Sequence, residues 1–230
     1  MSGRRDSDSL PTAWEAVALP GELLPLGKMQ MYIMKVVIVK YNAGNIQSVL
    51  YALERIGVKA IVTDDHAELL SADKVIFPGV GEASSAMNSL KENRLDEVIV
   101  SLKQPVLGIC VGMQLLCKYS EENNTPCLGV FEEPVKKFES LDGLKIPQIG
   151  WNNIYDLHSP LMQGVKDLSY CYFVHSYYVP LNKNAIATTN YIQPYASAIH
   201  KDNFYGVQFH AEKSALVGEQ ILKNFILNVK

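Results

Sequence analysis

Four consecutive β-branched residues, Val36-Val37-Ile38-Val39, constrain this chain most. A strand apolar on both sides must be covered on both sides, which points to a parallel sheet between layers of helices. The next segment has the complementary pattern. Ile46, Val49, Leu50, Leu53 and Ile56 recur at helical spacing, and Gly57 is placed to end the helix. The alternation continues: Val58 to Val62 and Lys74 to Phe77 predict strands, Ala83 to Leu90 and Leu95 to Leu102 helices, and Pro105 to Gly108 a further buried strand. A helix from Val111 to about Tyr119 follows directly. Beyond Cys127 the runs become short and β-rich (Ser169 to Val174, Tyr177 to Val179, Ala185 to Thr189, Ser197 to His200, Tyr205 to Phe209), which predicts antiparallel or mixed sheet. Ser214 to Val229 closes the chain with one apolar helical face. The expected class is α/β, three-layered, with a largely parallel central sheet and an added β-rich antiparallel section.

Composition narrows the function classes. With 230 residues and 48% apolar side chains the chain can bury a full core, and a net charge of −3 without a basic stripe argues against nucleic acid as a partner. Cys110, Cys117, Cys127 and Cys171 form no Cys-x-x-Cys pair and are too few to staple a chain of this size, so a reducing cytoplasm is expected. No apolar run approaches the ~20 residues needed to cross a bilayer, so no membrane association is expected. Residues 1–33 differ in texture, with a polar start and Pro11, Pro20 and Pro25. They read as a leader or disordered extension, with the folded domain over 34–230 and Met31 or Met34 as the natural opening.

Gly108-Ile109-Cys110-Val111-Gly112-Met113-Gln114 carries the sharpest chemical signal. A nucleophile between glycines at an abrupt strand-to-helix junction is the cysteine form of a nucleophile elbow. The turn strains the nucleophile's backbone, the glycines let neighbouring backbone pass close, and the helix N-terminus favours a reactive thiolate. A buried structural cysteine is the competing and, for cysteines in general, commoner fate. Such a nucleophile needs a base and an orienting group. Gln208-Phe209-His210-Ala211-Glu212-Lys213 offers both, since His210 and Glu212 can project from one loop into the same cleft. Taken alone, His-x-Glu is weak; paired with Cys110 it makes a Cys-His-Glu triad. Phe77-Pro78-Gly79-Val80-Gly81 ends another buried strand, where glycines turn backbone N–H groups toward a ligand. The N–H groups of Val80 and Val111 are the expected oxyanion donors.

In this order and at these separations, the three segments resemble the class I, triad-type glutamine amidotransferases over Lys35 to Lys230. Pro147 to Asn152, Tyr172 to Tyr177 and Lys201 to His210 are similar to the glutaminase subunits of imidazole glycerol phosphate synthases. The resemblance implies that Cys110 attacks the side-chain amide of L-glutamine, that His210, oriented by Glu212, moves the protons, and that the substrate is held around Gly81, Gln114, Glu122, His175, Ser176 and Tyr177. Glu122 suits the substrate's α-ammonium. It also implies a heterodimer with a cyclase of (β/α)₈ barrel form, fed with ammonia through a tunnel and contacted around Asn45, Trp151 and Lys213. No cofactor and no metal are implied. The chain departs from the family at Ala211, where most relatives carry proline. An amidotransferase subunit serving another synthase, such as anthranilate synthase, shares the elbow and triad, and the elbow alone also fits a cysteine peptidase or a redox sensor.

Overall fold

The computed structural model describes residues 34–42, 45–141 and 143–230. The expected extension over 1–33 lies outside the described residues. From the start of the described chain, strand and helix alternate: β1 (Val36–Val39), α1 (Ile46–Arg55), β2 (Ala60–Thr63), α2 (His66–Leu70), β3 (Lys74–Gly79), α3 (Ala83–Glu92), α4 (Leu95–Ser101), β4 (Val106–Cys110) and α5 (Val111–Leu116). The β-rich part follows with β5 (Cys117–Ser120), β6 (Thr125–Pro126), β7 (Phe131–Lys137), β8 (Gln148–Ile154), β9 (Ser169–His175), β10 (Tyr177–Pro180), β11 (Ala185–Tyr191), β12 (Gln193–Lys201) and β13 (Phe204–Val207), and α6 (Ala215–Leu227) closes the chain.

The large sheet runs β2-β1-β3-β4-β13-β12-β10-β7-β5-β6, with β11 also paired to β12. Its first five strands are parallel, and β12 then pairs antiparallel to β13. β1, β3 and β4 are buried at every position, as strands covered on both faces must be. The chain steps from β1 outward to β2 and back across to β3. Right-handed crossovers therefore put α1 on one face and α2 on the other. α2, α3, α4 and α5 form one group of contacts, whereas α1 and α6 meet the 3₁₀ turn Ala211–Lys213. β8 and β9 form a second, antiparallel sheet, bridged to β11 of the large one at Tyr155 and Thr188.

Several expected boundaries move. β2 begins at Ala60 rather than Val58, β3 extends through Pro78 to Gly79, and β12 starts at Gln193 rather than Ser197. The helix after Cys110 stops at Leu116, and Cys117–Ser120 is a strand paired with β6 and β7. Leu115, Leu116 and Tyr119 continue the helical spacing, but the next two strands offer this backbone a ladder on both edges, and that outweighs local periodicity.

The junction of β4 and α5 depends on absent side chains. A Cβ at Gly112 would land on the carbonyl oxygen of Phe77 in β3, and one at Gly79 on the backbone nitrogen of Gly112. Backbone cannot yield as a flexible side chain does. Gly112→Ala is expected to cost about 3 kcal/mol or more, at the upper end of overpacking penalties, read as a lowered urea midpoint. An unchanged midpoint would show that α5 can lift off β3 freely.

Candidate active site

Cys110 ends β4 and precedes α5 with φ 54° and ψ −111°. This is a positive-φ conformation for a residue with a side chain, of a kind that costs about 1–3 kcal/mol. The strain sets the thiol at the carboxyl edge of the sheet, between β3 and β13, where ligands of open α/β sheets bind. The N–H of Val111, first in the helix, has no acceptor within the helix.

His210 follows β13, and its ring is held through Nδ1. Nδ1 lies 2.8 Å from Oε1 of Glu212, and the Cys110 thiol is near enough to the ring to raise its pKa. Cys110, His210 and Glu212 are thus brought together from positions a hundred residues apart, all three buried. Burial alone would lower the His210 pKa, but the hydrogen bonds and charge of Cys110 and Glu212 outweigh it and raise the pKa to about 10. Glu212 has a second donor that sequence reasoning placed elsewhere: Asn45 Nδ2 gives 2.9 Å to the same Oε1. Asn45, the N-cap of α1 in left-handed conformation, therefore reaches the carboxylate that faces His210. The turn is further tied to β9. His210 N–H donates to the Tyr172 carbonyl (2.9 Å), Tyr172 N–H donates to Ser214 Oγ (3.0 Å), and that hydroxyl donates back to the His210 carbonyl (2.7 Å).

A cavity of about 320 Å³ opens over the thiol, within the size range of small-molecule sites. Val80, Gly81, Val111, Gln114, Glu122, His175, Ser176 and Tyr177 all line it, as do Cys110, His210 and Lys213. Trp151 and Asn45 do not. On the β3 side, the buried Tyr41 hydroxyl donates to the Pro78 carbonyl at 2.7 Å and so anchors the strand just before Val80.

The lining side chains differ in what they leave free. Glu122 is not the solvated acid its Glu121 neighbour suggests. Its Oε2 accepts from Ala83 N–H (2.7 Å) at the start of α3, and burial raises its pKa against that hydrogen bond. His175 is a core histidine: Nδ1 donates to the Tyr177 carbonyl (2.7 Å) and Nε2 meets the Tyr195 hydroxyl (3.2 Å). Its contribution to the cavity wall is therefore not through a free ring nitrogen. Burial lowers its pKa to about 4.

These two histidines shape the pH dependence of stability in opposite senses. From an ordinary value of 6.5, the depressed pKa of His175 means that the unfolded chain takes up a proton the folded one refuses. Stability from this group is complete above about pH 6.5 and falls by about 3 kcal/mol as pH drops through 4. The raised pKa of His210 contributes stability that is complete below 6.5 and is lost as pH rises toward 10. Urea midpoints should therefore fall on either side of about pH 6.5, and His175→Phe should flatten the acid limb only. An acid limb unchanged in that variant would contradict the assignment.

Comparisons with known proteins bear on the family and the fold. The family model described as glutamine amidotransferase class-I matches residues 37–229. A Bacteroides fragilis protein named imidazole glycerol phosphate synthase subunit HisH is 56% identical over 194 residues, covering 84% of this chain and 99% of the relative. The protein of the same name from Escherichia coli is 46% identical over 195 residues, with the same coverage. Among solved structures, a glutamine amidotransferase superposes with a TM-score of 0.65 at 17% identity, covering 83% of this chain and 96% of that one. PurLQS from Thermotoga maritima superposes at 0.62 and 14% identity, covering 86% and 100%. Those two likenesses bear on the fold alone, which is the three-layer α/β arrangement expected from the sequence. Relatives about half identical along nearly their whole length, together with a family model spanning the folded chain, decide the matter: this chain belongs to the class-I glutamine amidotransferase family.

Proposed function

We propose that the chain is the glutaminase subunit of an imidazole glycerol phosphate synthase of histidine biosynthesis, with Cys110 as its nucleophile. The observation that carries the residue assignment is that Cys110 and His210 line one small cavity while Glu212 bonds His210 from behind. Cys110 Sγ attacks the side-chain carboxamide carbon of glutamine. The N–H groups of Val80 and Val111 take the developing oxyanion. His210 gives its proton to the leaving nitrogen, so ammonia departs and a glutamyl thioester remains. His210 then takes a proton from water, whose oxygen attacks the thioester and releases glutamate and the thiolate. Glu212 holds the imidazole in one orientation, with Asn45 supporting the carboxylate. Gly81, Gln114, Glu122, His175, Ser176 and Tyr177 hold the amino-acid end, Glu122 facing the α-ammonium.

Ammonia released here passes to a cyclase subunit of (β/α)₈ barrel form, which converts the phosphoribulosyl-formimino aminoimidazole carboxamide ribonucleotide into imidazole glycerol phosphate and aminoimidazole carboxamide ribonucleotide. The docking face we assign is the outer side of the β8–β9 pair. Ile149, Trp151 and Tyr170 there are 64%, 51% and 58% exposed, and Trp151 meets Tyr172 edge-on with centroids 5.9 Å apart. Exposed aromatic residues clustered on one sheet face mark an interface. Val174 on the same strand lines the cavity, so the face and the site share an element. Lys213 stands at the cavity rim beside Glu212 and completes the contact region with Asn45. Among the described residues no helix is long and apolar enough to cross a membrane, and we place the complex in the cytoplasm.

Reconstitution tests the reading. Glutamine should support imidazole glycerol phosphate formation when the chain is mixed with such a cyclase and its nucleotide. Support instead for anthranilate formation with a chorismate-using partner would reassign it to another synthase.

A further inference from the structure

The buried amide of Gln208, one residue beyond β13, belongs to no role assigned above. Its side chain is fully buried, and its Nε2 lies 3.7 Å from Cys110 Sγ. What makes this contact informative is that its polarity is forced. The backbone carbonyl of Tyr177 can only accept, so the Gln114 group 3.1 Å from it is the amide nitrogen. The same nitrogen lies 2.9 Å from Gln208, which must therefore present its oxygen there. That leaves the Gln208 amide no orientation except the one with its N–H toward the sulfur. Flipping it would set two donors against each other between two buried side chains.

We infer that Gln208 is a catalytic residue of the glutaminase site, its amide N–H directed at Cys110 Sγ to stabilise negative charge on the nucleophile, with Gln114 as the positioning residue that fixes this polarity. The inference rests on the reading of Cys110 as nucleophile. A competing acceptor is in place: the Val174 carbonyl lies 3.8 Å from Sγ and suits a protonated thiol. Gln208 offers the sulfur a donor where Val174 offers an acceptor. Two substitutions separate charge from shape. Gln208→Met keeps length and burial but cannot donate. Gln208→Leu likewise cannot donate and adds no charge.

The measurement is the rate of alkylation by iodoacetamide of the isolated chain across a pH series, resolved by cysteine through peptide mass spectrometry, with thermal melting as the folding check. Cys110 should stand out in the wild type, because burial pushes Cys117 well up and raises Cys127 and Cys171 to about 12. A hydrogen bond to a charged group predicts that Gln208→Met slows Cys110 alkylation at neutral pH by about tenfold to a hundredfold, with the half-maximal pH moving up by about one to two. A merely structural role would lower the melting temperature and leave that pH where it was. A folded Gln208→Met chain alkylated at the wild-type rate, with an unmoved pH profile, overturns the inference. If Gln208→Met does not fold, Gln208→Leu decides on the same two readouts. Wild-type Cys110 reacting no faster than the other three cysteines would instead overturn the reading of Cys110 as nucleophile.

Discussion

Replacing Cys110 with alanine is expected to lower glutamine-dependent synthesis by the assembled complex at least about a thousandfold, while ammonium salts sustain synthesis at close to the wild-type rate. The size follows from the removal of the only atom that forms the covalent intermediate. The sparing of the ammonia-driven reaction follows from the division of labour, since cyclisation takes place on the partner and needs only free ammonia. Cys110 also occupies a positive-φ position, and alanine has a Cβ like cysteine, so the strained elbow is carried over rather than relieved. The substitution therefore tests chemistry more than folding. If ammonium salts drive the wild-type complex and fail with the variant, the two activities are not separable as described.

The second large effect concerns the partner. Glutamate release by the isolated chain should be slow, and should rise by about a hundredfold to a thousandfold when the cyclase binds with its nucleotide, the amount that one oxyanion donor typically contributes. Tyr41 pins the carbonyl of Pro78, and burial with the neighbouring Cys110 keeps its phenol protonated for that purpose. On the proposed reading, rotation of the peptide that follows, Gly79–Val80, would decide whether the Val80 N–H meets the oxyanion. A route from the docking face to the triad exists in the reciprocal bonds of Tyr172 with His210 and Ser214, because Tyr172 also packs against Trp151. A second runs through α1, whose Asn45 and Arg55 bond the carboxylate and the carbonyl of Glu212. Rates should rise stepwise from chain to complex to liganded complex, and Lys213→Ala should blunt the rise. Equal rates in all three states would remove the switch from the account.

The sequence exposes some of this more readily than the rest. The elbow is legible because its constraint is local: a strand, a nucleophile and two glycines within a few residues leave few other turns to form. His210 and Glu212 become legible only once Cys110 is chosen, since neither neighbour in the sequence marks them. Contacts made across the fold leave no local trace. Asn45 with Glu212 and Gln208 with Cys110 join residues 167 and 98 positions apart, and nothing in either segment encodes the other. The strand β7 escapes pattern reading because Glu132, Glu133, Lys136 and Lys137 sit at its more exposed positions, and β8 because Gly150, Asn152 and Asn153 are poor strand formers. At five residues, α2 is too short for helical periodicity to show.

The central claim is that Cys110 carries the glutamyl group. The most direct measurement is acid quenching of the cyclase-bound chain during turnover of glutamine, followed by mass spectrometry of the cysteine-containing peptides. One added glutamyl group is expected on the peptide bearing Cys110 and on no other, lost in Cys110→Ala. A complex that turns over glutamine with no adduct at Cys110, or with an adduct on Cys117, Cys127 or Cys171, would contradict it.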